Sequence, residues 1–122
     1  MRNSAVVFAG LLFSAALAPA HAGVLATAPA LAAYPTNQTI YCDIVNLNTS
    51  QKDVAIDIMD YFGNVVTTSG SFSLLPSQGN AWGDGTGNGT WCRFTVDGSA
   101  RKYRGMAIYD NGSAYTVSVP AF

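Results

Sequence analysis

The chain contains no glutamate, and its one histidine, His21, falls in an N-terminal segment that reads as removable. Only 11% of its 122 residues are charged, against 49% hydrophobic, and the formal net charge is −1. A chain without Glu and with only Lys52 and Lys102 as lysines lacks the surface residues that helices favour. So weak a charge balance offers no electrostatic footprint for nucleic acid and no acidic tail for a basic partner. The two cysteines are too few for a zinc site. With His21 removed, Ser-His-Asp and Cys-His activation are excluded, as is any histidine-ligated metal. No cofactor is expected.

The one long apolar run lies at the N-terminus. Arg2 gives a positive start, Ala5–Leu17 an apolar stretch, and Ala20-His21-Ala22 a small-residue cleavage site after Pro19. A membrane-spanning helix needs about 20 predominantly apolar residues, and Pro19, His21 and Gly23 stop this run short of that. Residues 1–22 are therefore expected to be a signal peptide, with a mature chain starting at Gly23 and no membrane insertion after cleavage. Secretion or a periplasmic location follows. Residues 23–37 are rich in Ala and Pro and read as an N-terminal arm or linker, ahead of a domain over 38–122.

Within that domain the apolar residues recur with period two, the mark of half-buried strands. Ile40, Cys42 and Ile44 form one such series, Val54, Ile56 and Ile58 another, and Cys92, Phe94 and Val96 a third. Val65–Ser69 and Phe72–Leu75 read as two short strands, with Pro76 ending the second. Asp60-Tyr61-Phe62-Gly63-Asn64 reads as a turn, and Gly79–Gly89 as a glycine-rich loop. Arg101–Asp110 is a long strand, followed by Asn111-Gly112, a strong hairpin signal. A two-residue loop there pairs Asp110 with Ser113, Ile108 with Tyr115, Met106 with Val117 and Arg104 with Val119. About seven short strands at this spacing predict an antiparallel β-sandwich, immunoglobulin-like in the loose sense.

Cys42 and Cys92 each lie on the apolar face of a predicted strand. In an exported chain two such cysteines are expected to form a disulfide.

The series Cys42-Asp43-Ile44-Val45-Asn46, Val54-x-Ile56-x-Ile58-x-Asp60-x-x-Gly63, Leu75-Pro76 and Cys92-Arg93-Phe94-x-Val96 resembles a broad group of small exported bacterial single-domain proteins. The resemblance covers about residues 38–109. It implies an Ig-like or fibronectin-III-like fold and an export route, in a group mostly without assigned function, and it carries over no functional residue. The chain departs from antibody-type domains in having no Trp on the strand after the first cysteine.

Few motifs carry chemistry. Gly83-Asp84-Gly85-Thr86-Gly87-Asn88-Gly89 has neither the following helix nor the lysine of a phosphate loop, and Asp84 alone is too little for calcium. Four Asn-x-Ser/Thr triplets, at Asn37, Asn48, Asn88 and Asn111, match the glycosylation pattern in a chain rich in those residues. A hydrolase would need two of the seven Asp carboxylates within roughly 5–10 Å. Asp60, Asp97 and Asp110, however, sit where turns recruit Asp to bond the backbone. The expectation is a non-enzymatic domain with a binding or structural role at the cell envelope or outside the cell. Its partner would be a protein or a glycan, with nucleic acid excluded. The alternative is a carbohydrate-binding module using Trp82 and Trp91. Alternation also suggests a binding face: Trp91, Arg93, Arg101, Tyr103 and Tyr109 would share an exposed sheet surface, and aromatics with Arg are enriched at binding hot spots.

Overall fold

The computed structural model describes residues 22–29, 39–110 and 116–122. Apart from Ala22, the leader expected over 1–22 lies outside the described residues, as does the Asn111-Gly112 loop. The described residues form an antiparallel β-sandwich of eight strands: β1 (Ala22–Ala26), β2 (Thr39–Asn46), β3 (Lys52–Met59), β4 (Val65–Leu74), β5 (Gly79–Asp84), β6 (Trp91–Asp97), β7 (Tyr103–Asp110) and β8 (Thr116–Pro120). The first sheet has the order β1-β6-β3-β4 and the second β5-β2-β7-β8.

The three alternating series set the core. Ile40, Cys42 and Ile44 on β2, Val54, Ile56 and Ile58 on β3, and Cys92, Phe94 and Val96 on β6 are all buried. Each strand puts every second side chain inward, so the two sheets bury their apolar faces against each other. The disulfide between Cys42 and Cys92 joins β2 of the second sheet to β6 of the first, with the two Cα atoms 5.7 Å apart. Two tyrosines of β7 brace the same gap: Tyr103 donates its hydroxyl to the Asp97 carbonyl and Tyr109 to the Thr90 carbonyl. Along one side the sheets are stitched by their backbones. Thr27 bridges Ala121, while Ala26 and Phe122 exchange N–H to carbonyl bonds of 3.0 and 3.1 Å.

Four sequence expectations change. First, the start of the supposed arm is strand β1, which pairs with β6 and places Leu25 in the core opposite Phe94. Gly23 permits this because a side chain there would lie 2.8 Å from the Gly98 carbonyl oxygen. Second, the strands expected at 65–69 and 72–75 are one strand, β4. It absorbs its irregularity at a bulge where Ser69 Oγ accepts the Ile56 N–H at 2.9 Å. Third, the first part of the glycine-rich loop is edge strand β5, held along β2 from Val45↔Gly79 to Ile40↔Asp84.

The fourth change matters most for function. Asp110 lies opposite Thr116 instead of Ser113, and Met106 opposite Pro120 instead of Val117. The inward face of β7 carries Tyr103, Ala107 and Tyr109, whereas Met106 is 39% exposed. The hairpin's two faces are thus the reverse of what its apolar pattern suggests. Small residues are needed inside at this point: Ala107 lies opposite Cys42, and Gly105 leaves the room that the Phe94 ring fills, a Cβ there falling 2.9 Å from Phe94 Cε2.

Candidate functional site: an aromatic turn

The face assembled from Trp91, Arg93, Arg101, Tyr103 and Tyr109 does not exist as one surface. Tyr103 and Tyr109 are core residues, 1% and 2% exposed. Both are amphipathic side chains whose hydroxyls find backbone carbonyls across the sandwich, which makes burial cheaper than exposure. Trp91 and Arg93 do share the outer face of the first sheet, but Arg93 is engaged there by Asp57 at 2.8 Å. Arg101 sits elsewhere, on a single 3-10 turn, Ala100–Lys102. Nor do the two tryptophans form a platform: Trp82 belongs to β5 of the second sheet and Trp91 to β6 of the first.

What the structure does present is the turn between β3 and β4. Asp60 organises it. One carboxylate oxygen accepts the backbone N–H groups of Phe62 and Asn64, both at 2.8 Å, and the other accepts the Asn64 side-chain amide at 3.2 Å. The Asp60 and Asn64 backbones close the loop at 2.8 Å, and Gly63, at φ 87°, supplies the left-handed residue the turn requires. These donors hold the Asp60 carboxyl below the ordinary carboxylate range, the Asn64 backbone N–H most of all. From beneath, Trp91 donates its indole N–H to the Asp60 carbonyl at 2.9 Å, and Thr90 donates its backbone N–H to Met59 at 2.8 Å.

With its backbone tied at so many points, the turn holds Tyr61 and Phe62 outward. They are 60% and 86% exposed and meet edge to face, with ring centres 6.0 Å apart. Val65, 49% exposed, continues the apolar surface. Beside the rings runs an open cleft of about 510 Å³, with Val66 on one wall and Gly87, Asn88 and Thr90 on the other. Asn88 is tied back to the fold through Thr86, whose hydroxyl accepts the Asn88 N–H at 3.3 Å and donates to Asp84 at 2.7 Å.

No family model, curated protein or solved structure matches the chain.

Sequence marks Asp60–Asn64 as a turn, because Asp, Gly and Asn are turn residues, but turn chemistry alone does not say which way its aromatics point. The signal that was available is Tyr-Phe at the tip of a turn, where core strands cannot reach back to cover both rings.

Proposed function

We propose that the chain is an exported, non-enzymatic, Ig-like β-sandwich domain that binds a protein partner at the cell envelope or outside the cell. The observation that carries this is the Tyr61–Phe62 pair, an aromatic tip on a hydrogen-bonded turn with the two residues 60% and 86% exposed. Exposing a Phe in this way forfeits burial worth about 1.5–3 kcal/mol, a cost that a partner's pocket would recover. Rigid aromatic side chains lose little conformational entropy on binding and dominate interface energetics. The disulfide agrees with an oxidising compartment.

Four of the seven carboxylates are engaged by their own surroundings, which supports a role without catalysis. Asp57 is paired with Arg93, Asp60 is used by its own turn, Asp84 binds Thr86, and Asp53 accepts the Ser73 hydroxyl at 2.6 Å. Each is absorbed by local structure.

The test compares retention of envelope and culture-medium proteins on immobilised wild type with retention on Tyr61→Ser/Phe62→Ser. The double variant is expected to hold its partner at least about tenfold more weakly, as loss of a hot spot does, while melting with the wild type. Equal retention by both would remove the turn from the binding surface. A wild type that retains nothing would count against a binding role altogether.

A further inference from the structure

A second site lies at the other end of β6. Trp91, the first residue of β6, supports the aromatic turn, while Tyr103 reaches Asp97, the last. There, between β1, the 3-10 turn and the end of β8, is a cavity of about 630 Å³. That is the size of cavities that take small organic ligands, about 300–1,000 Å³.

Its lining has two parts. Leu25, Tyr103, Ala100 and Ala121 form an apolar floor that is continuous with the core. Arg101 and Arg104 stand exposed at the mouth, and Phe122, 88% exposed, forms an apolar lip. Paired backbone bonds with Ala26 fix Phe122 in place.

No carboxylate among the described residues pairs with the charges at the mouth. Among the described residues the one ion pair is Arg93–Asp57, so Arg101, Lys102 and Arg104 have no carboxylate partner. The Arg104 guanidinium is nevertheless held in position, donating from Nη1 to the carbonyls of Tyr103 at 2.8 Å and Arg101 at 3.2 Å. Its Nε and Nη2 groups meet no acceptor among the described residues, and guanidinium groups lining one cavity, as Arg101 and Arg104 do, favour a carboxylate or phosphate. The sequence alone shows Arg101-Lys102-Tyr103-Arg104 as a basic run. The fold adds the apolar cavity beneath it.

From this juxtaposition we infer that the cavity binds a small amphipathic anion, with its carboxylate or phosphate head at Arg101 and Arg104 and its apolar chain over Leu25 and Tyr103. A bare anion would leave the floor unfilled, and a neutral chain would leave the guanidinium groups without a partner. The site is independent of the aromatic turn, so either can fail without the other.

The probes are decanoate and decyl phosphate, with 1-decanol and acetate as the two half-ligands. Calorimetry and backbone amide shifts follow each titration into the purified protein. Decanoate and decyl phosphate are expected to shift the amides of residues 100–105, 121 and 122 and to bind at least about tenfold more tightly than either half-ligand. Arg101→Gln/Arg104→Gln is expected to lose at least about the same factor. Ala100→Leu, which fills the floor and keeps both charges, is expected to weaken the chain-bearing anions and leave acetate unchanged. Arginine-dependent binding to phosphatidylglycerol vesicles would identify the head as that of a bilayer lipid; saturation by monomeric decanoate would identify a free amphiphile. Both support the assignment. Decanol binding as tightly as decanoate, decanoate binding unaffected by Arg101→Gln/Arg104→Gln, or no shift at millimolar probe would overturn it.

Discussion

Replacing Cys42 and Cys92 together by alanine is expected to lower the unfolding free energy by about 4 kcal/mol. The figure follows from the loop the bond closes. The cysteines are 50 residues apart in sequence, and in the chain-entropy model a cross-link of that span removes about 4 kcal/mol of unfolded-state freedom. The bond matters here beyond its entropy, because it spans the two sheets at their centre, between β2 and β6. Both cysteines are 0% exposed, so the alanines also lose packing volume. A domain this small buries a limited core, and a loss of about 4 kcal/mol is a large share of a typical total of about 5–15 kcal/mol. Urea unfolding of the oxidised wild type beside the double variant gives the difference directly. A loss below about 1 kcal/mol, well under the chain-entropy value, would show that the bond does not constrain the unfolded chain as described.

Phe94→Ala is expected to cost about 3–5 kcal/mol, the range for emptying a buried aromatic position. Phe94 is 0% exposed, lies on β6 opposite both Leu25 of β1 and Ile56 of β3, and reaches over Gly105 of β7. Its ring fills space that no neighbour can take over, because the residue facing it across the sandwich is a glycine. Thermal melts and urea titrations of the variant check the value. A loss below about 2 kcal/mol, under that expected range, would mean that the sheets close around the gap.

Gly105 also explains why part of the fold was hidden in the sequence. On β2, β3 and β6 charged residues mark the outward face (Asp43, Asp53 with Asp57, and Arg93), so Ile40-x-Cys42-x-Ile44 and its counterparts point inward, and the disulfide follows from them. On β7 both faces carry apolar residues. Met106 and Ile108 compete with Tyr103, Gly105, Ala107 and Tyr109, and hydrophobicity favours the wrong set. Volume decides instead: the disulfide and the Phe94 ring need small residues opposite them, so Ala107 and Gly105 turn inward and carry the two tyrosines with them. One reversed face was enough to scatter the expected binding surface.

The two missed strands have a different cause. Gly79-Asn80-Ala81-Trp82-Gly83-Asp84 contains no β-branched residue, and its pairing with β2 is a tertiary effect that local propensity does not carry. Similarly, β1 is short and rich in small residues, and its place is set by β6 on one side and the Thr27–Ala121 bridge on the other. The aromatic turn was half legible. Asp60, Gly63 and Asn64 announced the turn, while the exposure of Tyr61 and Phe62 depends on bonds from Trp91 and Thr90, about thirty positions further along the chain.

The central claim is that this aromatic tip is a contact surface, and site-specific photo-crosslinking tests it most directly. p-Benzoylphenylalanine is placed at position 62 and, separately, at the exposed position 71 on β4, in protein expressed in its own cells. After irradiation, a discrete adduct that forms from position 62 and not from position 71 is the predicted result. Adducts from both positions alike, or from neither, would contradict it.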